Sequence, residues 1–254
     1  MIEEKSLSYV NMYGVLGALE NLCAIDAVAK KALKKIKKPA SLCFEVKDGP
    51  CCTFTFDADG CVMKDGDEGC TMKMSFASPE KFNALINDSK PGVPVKNPVG
   101  TLAFLLGPFT ALTNRLNEVL RPTVEAMKDK AFFEENTILT MYVIGGAVCA
   151  LANNDSISKI SAGNTVDGDM LMSIPDKAAI TLHVENNKYS LIKDTCENPR
   201  AIMEFADIEL ANGLFNGTVS TVNEMCKGRI RLSGMISMID NVNRILDRVS
   251  VYLA

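Results

Sequence analysis

The sequence predicts an α+β protein made of two copies of one domain, each an antiparallel sheet covered by helices. Three observations support this prediction. Short stretches in which apolar residues alternate, such as "CTFTF" and "AITLHV", indicate half-buried strands. Stretches with apolar residues three and four positions apart, such as 235–249, indicate helices. The third observation is that residues 129 positions apart match repeatedly.

Composition limits the class of protein. With 47% apolar and 23% charged residues, the 254-residue chain has enough apolar material for two cores. A net charge of −4, five Tyr and no Trp disfavour a nucleic-acid partner. The first residues lack the basic region and apolar run of a secretory signal, so we expect a cytoplasmic protein whose nine Cys are reduced. The continuous apolar run 141–152 is too short to span a bilayer and predicts a buried helix.

The repeat places one domain at 1–122 and a second at 123–254, joined near Pro122. The pairs that match at the offset of 129 include Tyr13/Tyr142, Gly17/Gly146, Leu22/Leu151, Asp26/Asp155, Phe76/Phe205, Asn83/Asn212 and Arg115/Arg244. Between these blocks Val46 aligns best with Val184, 138 positions later. We therefore expect copy two to gain about nine residues within "SAGNTVDGDMLMSIPD" before its first strand, and to lose as many near Asp59-Gly60.

In copy one, the spacing predicts a helix over 12–23 and a second helix that begins at Asp26, a good N-cap, and ends before Pro39. Strands at 42–46, 52–56, 61–64 and 72–76 follow, separated by the turn sequences "KDGP" and "DADG". A short helix at 79–87 has Pro at its first turn. A strand at Leu102 and Phe104 and a helix over 109–120 complete the copy.

Copy two repeats this order, with "AITLHV" as its first strand, then "KYSLI", "AIMEF" and a helix over 207–216. In "KGRIRLSGMISMI", Ile230 and Leu232 alternate as in a strand, and a helical stripe begins at Met235. Ser233-Gly234 lies at the change, where the serine can cap the helix and the glycine can turn sharply.

Three segments carry a resemblance to a known family. They are "KKPASLCFEVKDGPCCTFTFDADG", "CTMKMSFASPEKFNALI" and "CKGRIRLSGMISMI", which follows "GLFNGTVSTVNEM". Their order resembles that of the sterol carrier protein type 2 family, most clearly over 39–87 and 201–239. The resemblance implies a five-stranded sheet and helices that enclose an apolar tunnel for a fatty acid, acyl-CoA or sterol. Copy one departs from the family at "NPVGTLAFLLGPFTAL", which lacks the basic residues of the late strand.

From the resemblance and the apolar stripes we expect a protein that binds and carries a lipid without catalysis and without a cofactor. Thirteen Met, several on predicted inner faces, suit a cavity that adapts to variable chains. The predicted cavity-lining residues are Phe76, Leu85, Leu102, Phe104, Phe109 and Leu112 in copy one, and Phe205, Leu214, Phe215, Ile230, Leu232, Met235, Met238 and Ile239 in copy two.

Other interpretations remain open. The repeats could instead form an interaction or regulatory module with filled cores and no ligand. Cys51 or Cys52 could serve an enzyme if one thiol were unusually acidic. The only histidine, His183, is expected to face solvent together with Thr181 and Glu185, so a solvated strand face is favoured over a catalytic base.

A run of lysines ends the second helix of copy one. "KKALKKIKK" contains Lys30, Lys31, Lys34, Lys35, Lys37 and Lys38. The simplest interpretation is a solvated cluster at a helix C-terminus, where cations are favoured. The alternative is peripheral contact with an anionic membrane or with a ligand's carboxylate or phosphate.

Overall fold

The chain forms two compact units, Met1–Met127 and Lys128–Ala254. A computed structural model describes residues 2–87, the backbone of 95–96, and residues 102–253. The boundary predicted at residue 122 lies five residues before this division. Each unit is described separately below.

Unit 1 has helices before and after a sheet. Its helices are α1 (Glu4–Tyr9), α2 (Leu19–Ile25), α3 (Ala27–Leu33), α4 (Pro79–Ile86), α5 (Leu102–Phe104) and α6 (Thr110–Leu120). A π-helical turn (Val10–Val15) and a 3-10 turn (Leu16–Ala18) join α1 to α2, and a second π-helical turn (Leu105–Phe109) joins α5 to α6. Its strands are β1 (Ala40–Val46), β2 (Cys51–Phe56), β3 (Cys61–Asp65), β4 (Met72–Phe76) and β5 (Val95–Lys96).

The sheet of unit 1 has the strand order β3-β2-β1-β4-β5. Its central pair, β1 and β4, is parallel, while the other neighbouring pairs are antiparallel. The predicted α+β class is confirmed, but the sheet is mixed and not purely antiparallel. A parallel pair needs a crossover connection, and here β2 and β3 lie between the paired strands in sequence.

The strand predicted at Leu102 and Phe104 is wrong, because this segment is helical from α5 through α6. Phe104 and Leu105 are both buried although they are adjacent, which fits a helix and not the alternation of a strand. Two apolar residues separated by one position are too few to distinguish the two periods. Pro108 lies inside the π-helical turn, where its missing N–H interrupts the regular bonding.

Unit 2 has the same arrangement with longer first and last helices. Its helices are α7 (Lys130–Asn154), α8 (Ser158–Gly163), α9 (Ile208–Phe215), α10 (Thr221–Cys226) and α11 (Ile236–Tyr252). Its strands are β6 (Gly168–Ile174), β7 (Ala178–Glu185), β8 (Lys188–Ile192), β9 (Ala201–Phe205) and β10 (Ile230–Gly234). The sheet order is β10-β9-β6-β7-β8, with β6 and β9 parallel and the other pairs antiparallel.

The first strand of unit 2 is β6, which the sequence analysis placed inside an insertion. "AITLHV" belongs to the second strand, β7, so the predicted gain of nine residues is wrong. Ala40 pairs with Phe56, and Gly168 pairs with Val184. Each of these unit 2 residues lies 128 positions after its counterpart in unit 1. The offset therefore stays nearly constant through the first hairpin.

Helix α7 is the described helix that is long and apolar enough to cross a membrane by length and composition. However, 78% of its most apolar 18-residue stretch is buried inside the unit. Gly145 shows why it can pack so closely, since a Cβ there would lie 2.7 Å from Ile180 Cδ1 and 2.8 Å from Leu191 Cδ1. The helix is thus the core helix of unit 2, as the run 141–152 predicts.

A buried aspartate joins α3 to α6 in unit 1 and α8 to α11 in unit 2. Asp26, the predicted N-cap, accepts a hydrogen bond from the Ala29 N–H and pairs with Arg115 of α6 at 2.9 Å (Nη2 to Oδ2). In unit 2, Asp155 accepts bonds from the Ser158 N–H at 2.8 Å and from Arg248 Nη2 at 3.1 Å.

Asp155 has a further partner in Tyr252, whose hydroxyl donates to Oδ1 at 2.6 Å. Burial raises the pKa of Asp155, but the hydrogen bonds from Arg248, Tyr252 and Ser158 outweigh it and lower the pKa to about 2. The carboxylate is therefore charged in the folded unit and fixes α11 against the start of α8.

We expect Asp155→Asn to destabilise unit 2 by about 3 kcal/mol, because Arg248 would lose its buried counter-charge. The exposed pair Arg244–Asp240 supplies a control, and Asp240→Asn should change stability by less than about 0.5 kcal/mol. Urea unfolding at pH 7 measures both values.

The same pair predicts a pH dependence. Because its folded pKa lies below the unfolded value of about 3.9, Asp155 stabilises the fold above pH 4, and this stabilisation is lost as the pH falls towards 2. Unfolding measured between pH 5 and pH 2 should therefore show a shallower loss of stability in Asp155→Asn than in the unchanged chain. An identical loss in both proteins would contradict the role of this carboxylate.

The turn from β10 into α11 depends on Gly234. Its φ is +86°, and a Cβ would lie 2.1 Å from the backbone oxygen of Arg200. That oxygen accepts the Met235 N–H at 2.8 Å. The predicted sharp turn is confirmed, but Ser233 belongs to the strand and Met235 is the N-cap residue.

We expect Gly234→Ala to lower the stability of unit 2 by about 2–4 kcal/mol, since it combines positive-φ strain with a backbone clash. Gly163→Ala is the matched control, because a Cβ at Gly163 meets nothing within 4 Å. Calorimetric melting of both variants measures the difference. Equal melting temperatures would show that the junction tolerates a side chain.

Candidate apolar ligand site

The helix-covered face of the unit 1 sheet is filled by phenylalanine rings. Phe44 lies at the centre, with its ring 5.8 Å from Phe54, 6.3 Å from Phe109 and 6.4 Å from Phe82. The cluster continues through Phe82 to Phe76 at 5.1 Å. These separations are those of rings in contact.

The predicted cavity residues of copy one therefore divide into three groups. Phe76, Phe104 and Leu112 are buried, and Leu85 and Phe109 are half-buried. Leu102 is 53% exposed and so does not line the interior. Its exposure follows from the helical conformation of α5, which turns it away from the sheet. The rings of Phe104 and Phe109 lie 5.9 Å apart and belong to the ring cluster.

The predicted residues of copy two meet where β9 and β10 lie beside α9 and α11. Ile230 pairs with Phe205 and Leu232 pairs with Met203 across the sheet, and the Phe205 and Phe215 rings are 5.7 Å apart. The buried members of the set are Phe205, Ile230, Met238 and Ile239, and the half-buried ones are Leu214, Phe215, Leu232 and Met235. The half-buried side chains lie at the edge of the unit 2 interior.

The two units fill equivalent positions differently. Sheet register matches β1 with β6 and β2 with β7, while α4 and α9 each begin three residues after their preceding strand. Four buried rings of unit 1 then correspond to smaller or more flexible side chains: Phe44 to Met172, Phe54 to Leu182, Phe56 to Val184, and Phe82 to Ala211. In the part of unit 2 that the structure describes, no aromatic ring occupies these four positions.

Larger side chains compensate at other positions of unit 2, among them Phe215 of α9, which takes the place of Ile86 of α4. At the β7–β8 end, Ile180 takes the place of Cys52 and Tyr189 that of Cys61. At the β9 end the exchange goes the other way, because Ala201 takes the place of Met72. The largest single reduction among these exchanges is that of Phe82 to Ala211, on α9.

At the edge of the unit 2 interior lies the short helix α10, whose apolar side chains are exposed and whose glutamate is buried. In α10, which contacts β10, Val222 is 68% exposed and Met225 is 42% exposed, while Glu224 is buried. Hydrogen bonds from Lys227, at 2.7 Å, and from Arg229, at 2.9 Å, hold the Glu224 carboxylate and lower its pKa despite opposing desolvation. The sequence does not predict α10, because six residues show too little periodicity.

Buried asparagines fix the helices that border the site. Asn212 of α9 donates to Thr137 Oγ1 at 2.8 Å and to Asn136 Oδ1 at 3.2 Å, both on α7. In unit 1, Asn83 of α4 donates to the Glu4 backbone oxygen at 2.9 Å. The matching pair Asn83/Asn212 in the sequence was the signal for this contact, although its structural role could not be inferred from spacing alone.

A surface depression of about 340 Å³ lies between α8 and α11. It is lined by Ile157, Ser158, Ile160, Ser161, Arg244, Asp247 and Arg248. None of the fourteen predicted cavity residues lines it.

The residues considered for catalysis have ordinary structural surroundings. His183 Nδ1 lies 2.7 Å from Asp169 Oδ1 on the partly exposed face of the sheet. Thr181, expected to face solvent, is instead fully buried, because the loop at Asp194 covers it and accepts its hydroxyl at 2.8 Å. Burial raises the pKa of the Cys52 thiol to about 12, and it also raises that of Cys51, so both favour the less nucleophilic neutral form.

Comparison with known proteins returns sterol carrier domains among solved structures. The sterol carrier protein domain 2 of Helicoverpa armigera is 12% identical, with a TM-score of 0.36, and the match covers 44% of this chain and 89% of that chain. A sterol carrier protein 2 is 15% identical with a TM-score of 0.32, covering 43% and 92%. Sterol carrier protein 2 like 2 from Aedes aegypti is 14% identical with a TM-score of 0.30, covering 41% and 89%. No protein-family model and no curated protein matches the chain.

Proposed function

We propose that unit 2 binds the apolar chain of a lipid, without catalysis, between β9, β10, α9 and α11. The observation that carries this proposal is the replacement of four buried rings of unit 1 by Met172, Leu182, Val184 and Ala211. The largest of these four changes is on α9, which also carries the half-buried Leu214 and Phe215. A ligand chain can enter there with the least rearrangement.

Methionine is the side chain best suited to make room. Met170, Met172, Met203 and Met238 are all buried in unit 2. Their unbranched thioether chains change rotamer at small energetic cost, so the interior can be filled without a ligand and reopen around one. We therefore expect these side chains to rearrange around the ligand, so that no permanent cavity is required.

The expected affinity is sufficient for a carrier. Burial of a chain of about 16 carbons is worth on the order of 12 kcal/mol at roughly 0.8 kcal/mol per methylene. Ordering of the ligand and of the methionines removes several kcal/mol, which leaves micromolar or tighter binding. Such binding needs no cofactor.

For unit 1 we propose the alternative function, a protein-interaction or regulatory role with a filled core and no ligand. The supporting observation is the contiguous ring cluster around Phe44, whose neighbouring rings are 5.8–6.4 Å away. Admission of a ligand would require several rigid rings to move together, which close packing resists.

We also propose that the units arose by duplication of a sterol-carrier-like domain. They share strand order and strand directions. Each also has a buried aspartate, Asp26 or Asp155, and a buried asparagine, Asn83 of α4 or Asn212 of α9. After duplication, one copy would have filled its interior with rings while the other kept an adaptable one.

The test places a phenylalanine ring in unit 2 at a position where unit 1 has one. Ala211→Phe places in unit 2 the side chain that Phe82 supplies in unit 1, and it should weaken binding of a fluorescent fatty acid at least tenfold, because the ring occupies the ligand's volume. Phe82→Leu changes the equivalent position in unit 1 and should leave affinity within twofold. Fluorescence titration of the full chain measures both.

Circular dichroism and thermal melting establish that each variant is folded. If Ala211→Phe fails to fold, Met172→Phe replaces it, since this change restores the ring of Phe44 beside the same space. The proposal is contradicted if the unchanged chain shows no saturable binding, or if Phe82→Leu weakens binding as much as the unit 2 variant.

A further inference from the structure

Six lysines form a cationic surface on unit 1, here named the lysine surface: Lys30, Lys31, Lys34, Lys35, Lys37 and Lys38. All six side chains are exposed. Among the described residues, none of them forms an ion pair with a carboxylate. The surface is thus a local excess of positive charge on a chain whose net charge is −4.

The segment that carries the lysines is held firmly in place. Asp26 caps α3 at its start and pairs with Arg115, while Leu33 and Ile36 are buried. After α3 ends, the Ile36 N–H bonds to the Leu33 backbone oxygen at 2.8 Å, which continues the turn. Burial of Leu33 and Ile36 directs the intervening and flanking lysines outward.

The fold does not require so many lysines at this position. The equivalent helix of unit 2, α8, has no basic residue in its last turn and only Lys159 along its length. It nevertheless forms, and the N–H of its first residue, Ser158, donates to the Asp155 carboxylate. Favourable interaction with a helix C-terminus therefore accounts for one or two of the six lysines at most.

Apolar side chains lie beside the charges. Val28 of α3 is 50% exposed and Ile25, at the end of α2, is 40% exposed. Val28 and Lys31 are three residues apart and so share one face of α3. Ile25, Val28 and the lysines therefore form an amphipathic surface. Its two aliphatic side chains can insert shallowly into a bilayer, and its ammonium groups attract anions.

We propose that the lysine surface docks unit 1 onto an anionic lipid bilayer. Lysine ammonium groups at a bilayer with anionic headgroups contribute about 1 kcal/mol each, so six suffice for reversible peripheral binding. Ile25 and Val28 add a shallow apolar contact. A nucleic acid fits less well, because the surface contains neither the arginines that bind bases in a bidentate manner nor the aromatic rings that stack on them.

The inference is independent of ligand binding in unit 2, since different residues carry it. It is tested by sedimentation of the full chain with vesicles of phosphatidylcholine, with and without phosphatidylserine. The test variant is Lys30→Gln, Lys31→Gln, Lys34→Gln and Lys35→Gln combined. The control combines Lys64→Gln, Lys81→Gln, Lys159→Gln and Lys188→Gln, which removes the same charge from exposed lysines elsewhere.

The unchanged chain and the control should bind vesicles that contain phosphatidylserine, and raised salt should weaken that binding. The test variant should bind them at least about 100-fold more weakly, as expected for four lost lysine contacts. Equal weakening in test and control, or no difference between the two lipid compositions, would overturn the proposal. Binding to heparin without binding to anionic vesicles would overturn it as well, because the surface would then recognise a soluble polyanion.

Discussion

A buried carboxylate just before α3 in unit 1 and just before α8 in unit 2 joins segments that are far apart in sequence. Asp155 contacts Ser158, Arg248 and Tyr252, so α8 and α11 are fixed to the point where α7 ends. Asp26 has the corresponding contact with Arg115. Each sheet has one apolar face, and these ion pairs hold the helices that cover it. The helix cover determines the space that the interior side chains must fill.

The interiors of the two units are filled by different side chains. Rigid rings around Phe44 fill unit 1, whereas methionines and small residues around Ala211 fill unit 2. Rings pack in few arrangements, while methionines pack in many. The same topology can therefore give one unit with a fixed interior and one with an interior able to rearrange. Phe215 and Met235 lie half-buried at the edge of this interior.

Local sequence signals predicted much of the fold. The Asp26 cap, the Pro79 helix start and the Gly234 turn each depend on a few neighbouring residues, and the structure confirms them. Features that depend on distant contacts were missed. The parallel pairing of β1 with β4 leaves no local signal, and β6 begins with Gly-Asp, which resembles a loop. The exposure of Leu102 follows from a helix that two apolar residues could not predict. The side-chain differences between the units became apparent only once strand register identified equivalent residues.

If unit 2 has an adaptable apolar interior and the interior of unit 1 is filled, each chain has one binding site for a fatty acid. Native mass spectrometry of the full chain, after incubation with excess fatty acid and removal of the unbound ligand, measures the number of bound ligands. The account predicts one ligand per chain. Two ligands per chain, or none, would contradict it.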